Sequence, residues 1–509
     1  MDAAGVALID ISIGTPESGA NFCERVAYWL WTPERRLRTF IASKGLAGGI
    51  NFGTAAGCWN HARHLERFPN VSFSAVCDLN FDLAQQRIEN KKNGGEFSHK
   101  WEGCKAFRTH RDMLNSDDRP DAVIIGTPPA TRGALQIPGG PVELDMAEAG
   151  IHMFMEKPVS VRPVDEVAEL SARLDDYHQK NGVITGVGYM LRYSAGVDMA
   201  KKLLAKVGAQ PIAVLGRMSI GYSFLQTPFW WDKERSGGPI VEQATHFVDL
   251  MRYLCGELVP DSVQAKAIGP NMMLSDMPAA PLAEHTIPME KRVNRATTAQ
   301  FVFESGCIGS LFHSACLEGA RFSAELDIQA DGVHIVIGNP YHMPFLKMRS
   351  SRREDYEEVE INKQGEAMYD AAFGTFLQAI REKDPKILRS SFADALKTYE
   401  ATRWIADASQ PTPQSAWNAP APWVTRAQPS WTNAAAEVIQ EAKEQQPEQV
   451  DIQTVLPTPA APQPTTVPPT MPYTPGQPAW QPQAPPLILP QQRAASSSAH
   501  STSEDTNEQ

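Results

Sequence analysis

The 509-residue chain has no long apolar run, no basic cluster and no paired cysteines, and each absence removes a class of protein. A membrane-spanning helix needs about 20 consecutive apolar residues, and no window approaches that. Lys and Arg number 47 against 59 Asp and Glu, a net charge of −12. Without a Lys/Arg-rich run there is no surface to neutralise phosphates, so a dedicated nucleic-acid or anionic-membrane binder is excluded. The seven cysteines (Cys23, Cys58, Cys77, Cys104, Cys255, Cys307, Cys316) are odd in number, scattered and without a Cys-x-x-Cys pair. Neither a zinc knuckle nor a disulfide framework is written here, no metal is expected, and a reducing compartment fits. Asp2 stands where a secretory signal carries positive charge, so the expected location is the cytoplasm. Residues 21–44 carry Arg25, Arg35, Arg36 and Arg38 but also Glu24 and Glu34, which a mitochondrial transit peptide avoids. Residues 1–47 therefore read as an N-terminal extension without an assigned role.

What is present is unevenly distributed. Of 40 prolines, 19 fall from Pro411 onward. Residues 410–509 are rich in Pro, Gln, Ala, Ser and Thr, a composition that cannot bury enough apolar surface to offset the entropy of ordering. A disordered tail is predicted there, apart from a short helix at 433–445. From residue 48 short apolar runs alternate with helical patterns, the signature of βα units around a parallel sheet. Strands are predicted at 49–52, 71–77, 121–126, 151–155 and 183–188, with helices to residue 68 and at 81–92, 142–149 and 164–180. Beyond Tyr189 strand-like runs at 297–303, 307–313, 322–329 and 333–337 follow one another without full helices between them, which describes an antiparallel sheet. Helices at 366–383 and 392–408 close the body. The expected fold is α/β: a Rossmann dinucleotide-binding domain at 48–188, then an α/β domain with an open, mostly antiparallel sheet at 189–409.

Three places can carry chemistry. A dinucleotide site needs small residues where a strand turns into a helix, and an acid at the end of the next strand for the ribose hydroxyls. Here G-x-G-x-x-G reads Gly53-Thr54-Ala55-Ala56-Gly57-Cys58, and Asp78 follows Gly53 by 78 − 53 = 25 residues. The turn is a cofactor loop or an ordinary tight turn; Asp78 is a ribose ligand favouring NAD over NADP, or a solvated loop residue. Glu156-Lys157-Pro158 ends a parallel strand, where ligands of open α/β sheets gather. Lys157 is there a surface cation or an ammonium beside a developing alkoxide. Finally, Pro239 and Gly256 bound a predicted helix on which Glu242, His246, Asp249 and Tyr253 form one polar stripe. That stripe faces solvent, or it holds a general base tuned by a carboxylate one turn away. Trp230, Trp231 and Arg235 just before it are pocket walls or core.

Thr127-Pro128-Pro129 after one strand, Glu156-Lys157-Pro158 after the next, Gly-Tyr-Met-Leu-Arg-Tyr from Gly188, and Ser-Gly-Gly-Pro-x-x-Glu-Gln-x-Thr-His-x-x-Asp from Ser236 together resemble the Gfo/Idh/MocA oxidoreductase family over residues 48–409. The resemblance implies NAD, with NADP as the alternative, and a sugar, polyol, inositol or cyclic diol as substrate. It implies a homo-oligomer, dimer or tetramer, formed through the flat sheet face. It matches Lys157 to a lysine that contacts nicotinamide ribose and substrate, His246 to the usual proton acceptor, and Glu242 to a position that normally holds Asp. Thr127, Pro128 and Pro129 match a cofactor-contacting loop, in which Arg132 replaces a frequent His, and Arg192 is implied near the nicotinamide. Gly53, Thr54, Ala55, Asp78 and Glu156 complete the implied cofactor set. Since some members use the fold to bind a partner protein, the alternative is a catalytically inactive NAD(P)-binding regulatory protein.

Overall fold

The clearest apolar run, Ala122–Ile125, is buried at every residue, as a strand covered on both faces must be, and in the computed structural model one sheet is built around it. The structure describes residues 5–7, 9–11, 24–28 and 30–32 as short strands, then residues 61–221, 225, 228–270, 283–317, 323–341, 344–350, 357–360 and 365–411, and Gln440. The chain divides into two units, Met1–Trp423 and Val424–Gln509. The predicted strand at 49–52, the turn with Gly53, Thr54 and Ala55, and the predicted tail beyond Pro411 apart from Gln440 lie outside the described residues.

In the first sheet Thr185–Val187, His152–Met155 and Ala122–Ile125 run parallel side by side, and Ala75–Cys77 runs parallel to Lys105–Phe107. Between these two groups stands Glu24–Tyr28, parallel to Ala122–Ile125 and touching Ala75–Cys77 at Tyr28, with Ile9–Ile11 antiparallel beside it. Residues 24–28, in the segment that the sequence leaves without an assigned role, thus pair in the middle of this sheet. Glu-Arg-Val-Ala-Tyr is five residues long and carries two charges, too little apolar signal to announce a strand on its own. The run 71–77 is likewise broken into Val71–Ser72 and Ala75–Cys77. Helices Phe81–Lys92, Val142–Glu148 and Val164–Asn181 lie where the pattern places them.

Among the described residues the second sheet has nine strands in the order Glu357–Glu360, Phe345–Ser350, Val333–Gly338, Ser323–Ala330, Pro211–Gly221, Ile308–Leu317, Ala296–Val302, Gln264–Ile268, Gln410–Pro411. All pairs are antiparallel except Pro211–Gly221 with Ile308–Leu317 and Gln264–Ile268 with Gln410–Pro411. Gln410–Pro411 carries the ordered body two residues past the boundary expected from composition. In Ala296–Val302 the residues Thr297, Ala299 and Phe301 are buried and their neighbours are not, so one face is covered. Helix Thr245–Cys255 covers it closely: a Cβ on Gly216 would lie 2.6 Å from Met251 Cε and 3.1 Å from the Phe247 ring. The hairpin joining Ala296–Val302 to Ile308–Leu317 turns at Gly306, where φ is +84°. Helix Phe392–Ala408 returns to the first domain, with Phe392, Ala395 and Tyr399 in one apolar cluster with Val167, Leu170 and Val187. Among the described residues no helix is long and apolar enough to cross a membrane.

Candidate active site

Parallel strands present all their C-terminal ends at one edge, which is where Asp78, Thr127, Lys157 and Tyr189 stand, each just beyond its strand. Asp78 is buried, and its Oδ1 accepts the Asn80 amide at 2.8 Å. Thr127 is buried and its Oγ1 has no hydrogen-bond partner among the described residues, while Pro128 and Pro129 lead into a single helical turn, Pro129–Thr131. Glu156 forms an ion pair with His61. Burial would raise the Glu156 carboxyl, but His61, Lys157 and Arg132 outweigh it and hold it below the usual carboxylate range.

The second domain completes the cluster. The helix predicted from Pro239 to Gly256 is two helices, Gly238–Glu242 and Thr245–Cys255. At the break the Gln243 and Ala244 amides both reach Pro239 O, at 3.0 and 2.9 Å, and Gln243 Oε1 meets His313 Nε2 at 2.8 Å. The single polar stripe is therefore corrected: Glu242 and His246 sit on different helices, and Glu242, His246 and Asp249 are all buried. Lys157 Nζ donates to Glu242 O and to Glu242 Oε1, both at 2.7 Å. Each partner's side chain is 8% exposed, so this is an interior ion pair. Burial pushes the Glu242 carboxyl up despite Lys157. Among the described residues, Glu242 Oε2 and both ring nitrogens of His246 are buried without hydrogen-bond partners. The imidazole is flanked edge-on by Tyr189 and Tyr341, with ring centroids 6.1 and 5.8 Å away. Burial first, and then the Lys157 charge, push its pKa well below 6.5. His246 is thus a neutral base at physiological pH, held by packing and not by Glu242.

Arg192, implied near the nicotinamide, is held by partners within the protein. Its Nε and Nη2 grip both oxygens of Asp249 at 2.8 and 2.7 Å, and its Nη1 meets Asp394 at 2.6 Å and the carbonyl of Arg389. It fastens the helix that carries His246 and is a structural clamp in this arrangement. Trp231 is fully buried with Nε1 donating to Leu225 O at 2.6 Å, which is the core reading, and Arg235 is exposed. Sequence reasoning missed His61, which is paired with Glu156, and His313, a buried histidine whose pKa burial lowers to about 4. A signal for His313 exists: it alternates with Leu311 and Ala315 on the covered face of its strand, where a polar residue needs a reason.

Residues 49–189 match the model of an oxidoreductase family with an NAD-binding Rossmann fold, and residues 192–333 match a putative oxidoreductase C-terminal domain. An uncharacterized protein of Schizosaccharomyces pombe is 33% identical over 371 residues, covering 71% of this chain and 89% of its own length. A second from the same yeast is 32% identical over 370 residues, covering 71% and 94%. Among solved structures, levoglucosan dehydrogenase in complex with NADH and levoglucosan superposes with a TM-score of 0.54 at 19% identity, covering 69% of this chain and 92% of that one. An oxidoreductase domain protein from Kribbella flavida gives a TM-score of 0.56 at 17% identity, covering 71% and 95%.

Proposed function

From the premise that the chain belongs to the Gfo/Idh/MocA family of NAD-binding oxidoreductases, we propose that it moves a hydride between NAD and a secondary alcohol or carbonyl of a sugar, polyol, inositol or cyclic diol. One observation carries this reading. Lys157 from the first domain and Glu242 and His246 from the second meet in a buried cluster that leaves Glu242 Oε2 and both His246 nitrogens without hydrogen-bond partners. Buried polar atoms without partners cost about 1–3 kcal/mol each, a cost that a ligand's hydroxyls relieve.

The residues at the strand ends fit the cofactor. Thr127 Oγ1 is an orphaned buried hydroxyl at the edge where dinucleotides lie, and Asp78 offers a carboxylate at the end of its strand. Bound there, NAD supplies the hydride acceptor. Asp78 takes ribose hydroxyls and opposes a 2′-phosphate, which favours NAD over NADP, with Thr127, Pro128, Pro129 and Glu156 lining the same edge; Gly53, Thr54 and Ala55, outside the described residues, are assigned to the phosphates by the sequence pattern alone. His246, neutral, accepts the hydroxyl proton. Lys157 gives two of its three N–H groups to Glu242, which leaves the third for the oxyanion that develops on the substrate. Glu242 acts on Lys157 and not, as the sequence suggests, on His246. Lys157 faces Glu242 in an interior ion pair, a setting that suits a neutral hydroxylated substrate.

A homo-oligomer, dimer or tetramer, accompanies this reading. Ile212, Leu215, Val302, Ile308 and Phe312 are exposed on strands of the second sheet, an apolar surface that a second copy would cover. Titration with NADH and NADPH, then assay of sugars, inositols and dihydrodiols for nicotinamide absorbance change, tests the proposal, and light scattering reads the oligomeric state. Tighter NADH binding with turnover of a polyol is expected. NADH binding without turnover of any compound would favour the partner-binding alternative, and an NADPH preference would remove Asp78 from its role.

A further inference from the structure

The break between the two helices of the cluster is held from the sheet. His313 lies in Ile308–Leu317, a strand flanked on both sides, opposite Met218 of one neighbour and Thr297 of the other. Its side chain is buried on the face that carries Leu311 and Ala315, where a polar group needs a partner. That partner is the buried Gln243, whose Oε1 lies 2.8 Å from His313 Nε2. An amide oxygen only accepts, so this contact puts the imidazole proton on Nε2. Among the described residues His313 Nδ1 has no hydrogen-bond partner, so no second bond competes for the proton.

Gln243 is joined by one peptide bond to the group that holds Lys157. Lys157 Nζ donates to the Glu242 carbonyl as well as to its carboxylate, both at 2.7 Å. That carbonyl and the Gln243 amide belong to one planar unit, so turning Gln243 turns the oxygen that Lys157 uses. The backbone alone restrains it loosely: the Gln243 and Ala244 amides share Pro239 O, in place of the regular ladder in which each amide has its own acceptor. The Gln243 side chain adds a restraint from a strand paired on both edges.

We propose that Gln243 and His313 are positioning residues for Lys157: the bond from His313 Nε2 to Gln243 Oε1 fixes the Glu242–Gln243 peptide plane, and through its carbonyl the direction of the N–H that Lys157 keeps for the substrate. The kinetic consequence rests on the dehydrogenase reading, whereas the geometric consequence does not.

Variants of the full chain separate position from packing. His313→Leu removes the donor and leaves Gln243 Oε1 buried without it. It should lower kcat about tenfold or more with KM little changed, since a displacement of about 1 Å near reacting groups costs up to about a hundredfold. Combining Gln243→Leu with His313→Leu removes both polar groups, a change that can be nearly neutral for stability. The combination should regain the denaturation midpoint lost in His313→Leu but not the kcat. His313→Gln, whose amide N–H can take the place of the ring Nε2–H, should restore most of the kcat. A kcat that returns together with stability in the double variant, or a His313→Gln as slow as His313→Leu, overturns the proposal. Where His313→Leu does not fold, Gln243→Leu removes the acceptor and carries the same expectation. Nitrogen-15 spectra of histidine-labelled wild-type protein, with the His313 signals identified by their loss in His313→Gln, should show the Nε2–H tautomer, and an Nδ1–H tautomer overturns the proposal. If the wild type turns over no compound, a crystal structure of the donor-free variant decides the geometric claim. Lys157 Nζ released from Glu242 O would sustain the positioning role while the dehydrogenase reading falls, and an unmoved contact would overturn it.

Discussion

Two buried clusters of charge flank the helix Thr245–Cys255, and they are built to opposite ends. Around Arg192 each charged group meets an oppositely charged partner, although Asp394 Oδ2 contacts the guanidinium without a hydrogen bond: Asp249 takes the guanidinium with both oxygens and a hydroxyl from Thr398 at 2.8 Å, while Arg252 grips Glu257, Asp394 and Thr398. Around Lys157 the ion pair is made, yet among the described residues Glu242 Oε2 and both nitrogens of His246 have no hydrogen-bond partner. Breaking a closed network leaves an uncompensated interior charge, whereas an open one has unmet hydrogen bonds that a ligand can complete. The same residue types thus fasten elements of the second domain to one another in one place and, in the other, join the two domains while leaving hydrogen bonds unmet.

The sharpest test is chemical. Lys157→Met and His246→Ala should each reduce kcat/KM by at least about a hundredfold, the low end of what a positioned base or oxyanion donor contributes. Their losses should combine less than additively, since both serve one transition state. NADH affinity should hold in His246→Ala and weaken several-fold at most in Lys157→Met. Full activity in both variants would move the active centre elsewhere.

The closed network should respond in stability instead. Arg192→Met severs contacts to Asp249, Asp394 and Arg389 at once and should cost about 3–5 kcal/mol, read by denaturant unfolding. A variant that stays stable but loses NADH binding would restore the direct cofactor contact and break the comparison.

A smaller effect concerns histidines outside both clusters. Burial lowers His152 and His313 to about 4 from 6.5, and His152 Nδ1 accepts the Ile184 amide at 3.0 Å, so it must be neutral. Their folded pKa values lie below the unfolded one. The stability they contribute is complete above about 6.5 and is lost as pH falls toward 4. The melting temperature should drop across that window, and His313→Gln should flatten the drop. Equal slopes would show that carboxylates alone govern acid sensitivity.

Much of the fold is legible in the chain because its signals are local. The unbroken apolar stretch Ala122–Ile125, the helix Val164–Asn181 and the Gly306 turn each follow from periodicity or backbone freedom within a few residues. Glu24–Tyr28 was hidden because a five-residue charged strand is specified by its neighbours and not by its own pattern. The pairing of Arg192 was hidden for a related reason: Asp249 and Asp394 lie 57 and 202 positions away in the chain, and no spacing rule reaches across such separations.

The sequence by itself determined the α/β class, the order of the two domains and the presence of Lys157, Glu242 and His246 in a recognisable order, because these depend on residue type and short-range spacing. Only the tertiary structure decided how those residues are used. A helix broken at Gln243 turns Glu242 toward Lys157 and leaves His246 without a carboxylate partner, and burial then sets the imidazole neutral. Partner choice and desolvation are properties of the folded interior, where groups far apart in the chain meet away from water.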